Sequence, residues 1–222
     1  MEFVGELIDY IPAFWRGLRY TLGLAAIALI LGVTLGLLIA LARMSKHRFF
    51  RIPATVFVEF FRTTPLVVQI VWIFFVLPVV LDISLSSFYA GAIALGLNQA
   101  AYKSEIFRAG LEEVTGSQRR AALALGLRRW DTFRFVVAPQ ATAVILPAFM
   151  AHTMLLVKGT AYVSILRVPE LTHTATLISL DSFRFLEVYV VVGVIYFLMI
   201  YPLGGLGRWL EKRGSGRWRV QQ

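Results

Sequence analysis

The chain has 222 residues, of which 58% are hydrophobic and only 16% charged, with a mean hydropathy of +0.72 and a formal charge of +9. Soluble domains carry about a quarter charged residues, so this composition excludes an ordinary soluble globule and points to an all-α integral membrane protein. Cysteine is absent, which removes disulfides and thiolate chemistry.

Five stretches lack Asp, Glu, Lys and Arg: Tyr20–Ala42, Thr63–Leu81, Ile83–Tyr102, Phe135–Val157 and Val188–Gly207. About 20 apolar residues in a helix cross a hydrocarbon core roughly 30 Å thick, so each stretch is long enough. The expected crossings are residues 20–42, 60–81, 83–105, 135–157 and 188–208 of a single 1–222 domain. Basic residues concentrate in three places: four in Arg43–Arg51, seven in Lys103–Arg134 and five from Arg208 onward. With five crossings these segments share one side, and the excess of Lys and Arg makes that side the cytoplasm. The N-terminus then lies outside and the C-terminus inside. The same placement accounts for the charge without a nucleic-acid partner.

In chain order, Met1–Gly17 reads as an amphipathic helix at the outer interface, with Phe3, Leu7, Ile8, Ile11, Phe14 and Trp15 as its apolar side. Gly32 and Gly36 in the first crossing form a small-xxx-small pair that lets another helix approach. Pro53 starts the next helix, which carries Glu59 and Arg62, and Pro65 and Pro78 kink or end it. Asp82–Ser87 is an outer turn. The third crossing ends in Asn98, Gln99, Tyr102, Lys103, Glu105 and Arg108.

A cytoplasmic loop over residues 109–134 follows. Its Ala-rich segment predicts a short helix over Gln118–Leu125, with Gly126 as its stop and Asp131 capping the next helix. That helix enters the membrane past Pro139. The external loop 158–187 is too polar to cross, and Val163–Val168 suggests a short helix within it. Trp209 and Trp218 in the basic tail read as interfacial anchors.

No phosphate-cradling loop, metal-ligand spacing or nucleophile elbow occurs; His47, His152 and His173 stand far apart. No catalytic residue and no cofactor or metal site is therefore expected in this chain, and any ATP must be bound by a partner. Arg62 and Glu105 read as an ion pair between two helices or as gating residues, with Arg108 beside them. Gln69, Asn98, Gln99 and His152 are polar side chains in apolar crossings, suited to interhelical packing or to lining a pathway.

Arg120-Ala121-Ala122, three residues, Gly126, nine residues and Val136-Val137-Ala138-Pro139 resemble the cytoplasmic loop of ATP-binding-cassette importer permeases. The spacing is the family's, while Arg120 stands where the family usually has Glu. Arg62-Thr63-Thr64-Pro65-Leu66-Val67-Val68-Gln69 and the run Ala101-Tyr102-Lys103-Ser104-Glu105-Ile106-Phe107-Arg108-Ala109-Gly110 are similar to motifs of the polar amino acid branch, as are Gln118 and Pro139-Gln140-Ala141.

The resemblance implies the type I importer permease fold, in a bacterial cytoplasmic membrane. It implies two ATPase subunits carrying ATP and Mg, a second permease subunit, identical or homologous, and an extracytoplasmic amino acid-binding protein. Residues Gln118, Arg119, Arg120, Ala121, Ala122, Leu125 and Gly126 would couple to the ATPase. Departure from Glu at Arg120 hints at a pair of unlike permeases. Glu59, just before the Arg motif, would either face the pathway or stand as a helix-end charge at the interface, and Lys158-Gly159-Thr160, where the branch commonly has Lys-Asp-Thr, would face the pathway. Gly159 in place of that Asp removes a negative charge, so a neutral or acidic substrate is expected unless the other subunit holds it. The alternatives are an importer of another small polar solute, or an ion-coupled secondary transporter, although neither intramembrane acids nor inverted repeats are plain.

Overall fold

The computed structural model describes residues 2–113 and 116–215, with the side chains of 2–7, 116–117, 119 and 211–215 outside the description. Trp218 of the expected anchor lies outside the described residues. Among the described residues the secondary structure is helical throughout. The main helices are α1 (Glu2–Arg43), α2 (Arg48–Thr63), α3 (Leu66–Leu81), α4 (Ser87–Glu113) and α5 (Gly116–Ala124). They are followed by α6 (Arg129–Thr132), α7 (Ala138–Gly159), α8 (Leu171–Ser182) and α9 (Phe185–Ser215).

Several boundaries differ from those the sequence suggests. The expected interfacial helix and first crossing are one rod of 42 residues, about 63 Å long. Pro12 and Gly17 do not interrupt it. Phe14 is buried against α8 and α9, while Ile11 and Trp15 are exposed, so the apolar side of this segment is divided between the core and the surface. The second helix starts at Arg48, ahead of Pro53. The crossing expected over 60–81 is split at Thr64-Pro65, where both residues are extended and α2 and α3 meet at 111°. Proline disfavours helical geometry in the residue before it, which ends α2 at Thr63.

Helix α4 runs on to Glu113, eight residues past the expected end and into the segment that reads as loop. The Glu105, Arg108 and Glu112 side chains pair at i,i+3 and i,i+4 spacing, which supports those extra turns. Asp131 sits inside α6 rather than capping it; the cap position is Arg128, with no side-chain bond. A π turn over Phe133–Val137 joins α6 to α7 just ahead of Pro139. Its wider ladder accommodates the missing proline N–H. In the loop expected over 158–187 a 3-10 turn covers Thr160–Leu166, and beyond it the loop contains a full twelve-residue helix, α8.

Among the described residues three stretches, Ile8–Arg43, Arg129–Leu166 and Phe185–Leu210, are long and apolar enough to cross a membrane singly, and the bent α2–α3 pair is a fourth if it forms one span. Helix α4 fails that test because it is the inner helix. Thirteen of its residues are buried, among them Asn98, Gln99, Lys103 and Ser104. Its neighbours are protein, so its sequence need not be apolar. Against it, α1 approaches through Gly32 and Gly36: a β-carbon at Gly32 would stand 2.7 Å from Gln99 Cβ, and one at Gly36 would stand 3.0 Å from Lys103 Cβ. One core joins α1, α3, α4, α7 and the 3-10 turn around Leu24, Ile70, Leu95, Leu156 and Val163. The other joins the N-terminal part of α1 to α8 and α9.

Candidate functional site

Three arrangements bring the sequence-selected residues together. The first is a charge cluster at the end of α4. Glu105 Oε1 accepts from Arg43 at 2.7 Å and from Arg62 at 3.1 Å, and its Oε2 accepts from Arg108 at 2.8 Å. Arg108 also donates to Glu112. The Arg62–Glu105 pair therefore exists, but Arg43 from α1 is a third partner, which the sequence marks only as one of the basic residues after the first crossing. Three helices are tied at one carboxylate.

The second arrangement is the α2–α3 bend and the cavity beside it. Gln69 Nε2 donates toward the Phe61 carbonyl at 2.8 Å and the Thr64 carbonyl at 3.0 Å, filling acceptors that the break at Pro65 strands. Its Oε1 accepts from Asn98 Nδ2 at 3.0 Å, which joins the bend to α4. A cavity of about 500 Å³ lies between this bend, α4 and α7. Asn98, Gln99, Tyr102, His152, Lys158 and Gly159 are among its lining residues. Glu59, Gln69 and Thr160 do not line it. Glu59 is exposed on α2, Gln69 is buried at the bend, and Thr160 is buried with its hydroxyl on the Val157 carbonyl.

Around that cavity the Tyr102 and His152 rings stack with centroids 5.0 Å apart, and the Arg62 guanidinium lies 5.8 Å from the Tyr102 ring centroid. Arg62 thus touches both the charge cluster and a wall of the cavity. Gln99 Oε1 is buried without a hydrogen-bond partner among the described residues. Behind the wall, Lys103 is fully buried. Its ammonium reaches Thr153 Oγ1 at 3.4 Å and stands 4.0 Å from the Phe149 ring centroid. The Thr153 hydroxyl spends its own proton on the Phe149 carbonyl, leaving its lone pair for the ammonium. In the sequence Lys103 is only a polar helix-end residue, and its place two positions before the paired Glu105 is the one signal that sets it apart.

The third arrangement is α5 with its stop. Leu127 N–H donates to the Ala122 carbonyl and Gly126 N–H to the Leu123 carbonyl, with Gly126 at φ +84°. That is a Schellman closure, which favours glycine at the left-handed position. Ala122 is buried, whereas Gln118, Arg120, Ala121, Leu125 and Gly126 are exposed, Leu125 at 84%. The Arg119 side chain lies outside the described residues. Among its described side chains α5 therefore buries only Ala122 and turns the others, with Leu125 just after it, away from the rest of the chain.

A further buried acid carries no sequence signal. Glu170 caps α8, accepting from the N–H groups of Thr172 at 2.9 Å and His173 at 2.7 Å, with the Tyr196 hydroxyl donating at 3.3 Å. Burial pushes its carboxyl above the ordinary range despite these donors.

Residues 32–215 match the family described as binding-protein-dependent transport system inner membrane component. The chain is 32% identical to the arginine transport system permease protein ArtQ of Bacillus subtilis strain 168, over 93% of this chain and 94% of that one. It is 34% identical to the glutamine transport system permease protein GlnP of Escherichia coli K12, over 91% and 93%. Among solved structures it is similar to an amino acid ABC transporter crystallised with histidines, with a TM-score of 0.85 at 35% identity over 94% of this chain and 97% of that one. The fold is also that of the MetNI methionine ABC transporter, with a TM-score of 0.77 at 18% identity over 93% and 98%. With the family match running from within α1 to the end of α9, the chain belongs to the binding-protein-dependent transport system inner membrane components.

Proposed function

We propose that this chain is the permease subunit of an ATP-binding-cassette importer for polar amino acids. Helices α1, α3, α4, α7 and α9 make five crossings of a bacterial cytoplasmic membrane, with the N-terminus outside and the C-terminus inside. In this reading α4 crosses within the protein, which is why its polar sequence is tolerated. A second permease subunit, identical or homologous, completes the pathway, and an extracytoplasmic binding protein delivers the solute. Two ATPase subunits hold ATP and Mg, and this chain hydrolyses nothing. The relatives named for arginine and glutamine transport support an amino acid as cargo.

The observation that carries the reading is α5, a short helix ended by Gly126 and presenting Leu125 outward between α4 and α7. An exposed leucine beside small residues suits insertion into a partner's cleft. Closure of the ATPases then moves α5, and the π turn and α7 carry that motion into the cavity wall as a two-state rearrangement. Leu125→Arg tests this. Co-elution with the ATPase and ATP-driven uptake should both be lost while the thermal midpoint of the chain stays put. Retained ATPase binding would refute docking through this face.

A further inference from the structure

Two arginines near the start of α1 are unlike those at the far end of the bundle. Arg43, Arg62 and Arg108 are committed to Glu105 and Glu112. Arg16 and Arg19 are exposed, and neither has a hydrogen bond or ion pair among the described residues. They are spaced i,i+3, so they share a side of the helix. With Tyr20 they line a cavity of about 410 Å³, to which α4 contributes Phe88. The Tyr20 and Phe88 rings meet edge to face with centroids 5.8 Å apart. None of the described lining residues is Asp or Glu.

The packing of α1 fixes where this pair stands. A β-carbon at Gly17 would lie 3.0 Å from Thr174 Oγ1, and Thr21 Oγ1 accepts from the Leu171 N–H at 3.2 Å. Gly17, Thr21 and Leu24 are thus turned into the protein, which leaves the arginines on the outward side. Toward Arg43 that side continues exposed and apolar, through Leu22, Ala26 and Ile30 to Leu37. From Arg19 to Ile30 the helix rises about 16 Å, half of a hydrocarbon core roughly 30 Å thick. Trp15 and Tyr20, both exposed, bracket the pair, as aromatic residues do where a bilayer meets water.

Two guanidiniums without a carboxylate, set over an apolar stripe one leaflet deep, match the two ends of a phospholipid. Their forked N–H donors suit phosphate oxygens, and the stripe below suits an acyl chain. We propose that the α1–α4 cavity is a binding site for a phospholipid of net negative charge. Arg16 and Arg19 hold the headgroup phosphate, the Tyr20–Phe88 pair packs on the glycerol region, and a chain lies along Leu22, Ala26 and Ile30. A zwitterionic lipid fits less well, because its ammonium meets two guanidiniums and no lining acid receives it. This cavity shares no described lining residue with the one at the α2–α3 bend, and the inference stands apart from the importer reading.

The test reads lipid contact at this stripe. The full chain carries Leu22→Trp as its one tryptophan, its five native tryptophans being replaced by Phe, and is reconstituted in phosphatidylcholine vesicles. A minor fraction of the lipid is brominated in its acyl chains, as phosphatidylglycerol in one arm and phosphatidylcholine in the other. Brominated phosphatidylglycerol should quench the reporter at the lower fraction, by about fivefold for each arginine engaged. Arg16→Gln with Arg19→Gln should erase that preference and leave the melting midpoint unchanged. Arg48→Gln with Arg51→Gln removes the same charge at the same spacing from α2, and should leave the preference intact. Equal quenching by the two lipids overturns the site and leaves the arginines to a carboxylate-bearing protein. A preference that survives Arg16→Gln with Arg19→Gln, or that Arg48→Gln with Arg51→Gln abolishes equally, reports net charge alone and overturns the site as well.

Discussion

Arg62 and Glu105 stand 43 residues apart in the chain, and their side chains meet at 3.1 Å where α2 crosses the end of α4. Arg43 meets the same carboxylate at 2.7 Å and is the less exposed of the two arginines, at 11% against 39%. Removing the acid leaves three cations facing one another, a larger loss than removing any one of them. Glu105→Gln should cost about 1–3 kcal/mol, below the cost of a fully buried pair because this site is partly solvated. Arg43→Gln should cost more than Arg62→Gln. Thermal melting of the detergent-solubilised chain reads all three, and an equal effect of the two arginines would contradict the geometry.

Close contact between α1 and α4 gives a second prediction. A side chain at Gly32 has no room beside Gln99, whereas a β-carbon placed at Gly193 would have nothing within 4 Å. Gly32→Val should therefore destabilise by about 1–3 kcal/mol or prevent assembly, by overpacking the interface. Gly193→Ala should be neutral or mildly stabilising, since it replaces glycine inside α9. Expression level and melting midpoint in parallel preparations check the contrast.

At Gly126 the expected damage is to coupling more than to folding. Its φ of +84° strains any L side chain, but no atom lies within 4 Å of the site of a β-carbon. Gly126→Ala should cost about 1–2 kcal/mol locally, and Gly126→Asn less. Uptake driven by ATP should fall further than stability does, because a frayed α5 loses its docking shape. Stimulated ATPase activity measured beside the melting midpoint separates the two effects.

Glu170 links stability to pH. Burial raises its folded carboxyl above the ordinary value of 4.5, so the folded state holds the proton longer than the unfolded chain does. The contribution is complete below the unfolded value and fades as pH rises through the folded one. Glu170→Gln removes this titration and should flatten the fall in melting midpoint on the alkaline side of the ordinary carboxylate range. An unchanged slope would show that another group dominates there.

Much of this architecture is legible in the residues. The charge-free stretches locate the long helices, Gly126 marks the end of α5, and the Gly32–Gly36 spacing marks the face that α4 uses. What is not legible has physical reasons. Helix α8 is rich in Thr and begins at a glutamate cap, so neither composition nor the usual Ser, Thr, Asp or Asn signal announces it. The extension of α4 to Glu113 is hidden because its charged residues look like loop, although their spacing pairs them along a helix. Arg43 joining Glu105 and Lys103 turning inward depend on how α1 and α7 pack, and local sequence carries no record of that. The cavity belongs to the same class: Asn98, Gln99 and His152 stand out singly, but only folding puts them against Lys158 and leaves Glu59 outside.

Helix α1 has no joint between its end at Arg43 and the N-terminal part gripped by α8 and α9. Along this rod Gly17 and Arg43 stand about 39 Å apart, so a tilt of about 5° about one moves the other by about 3 Å. Small adjustments where Arg43 clasps Glu105 are thereby carried to the other end of the helix, beside the Gly17–Thr174 contact. Inserting a flexible break near Ala25 would disconnect the two contacts without touching either end.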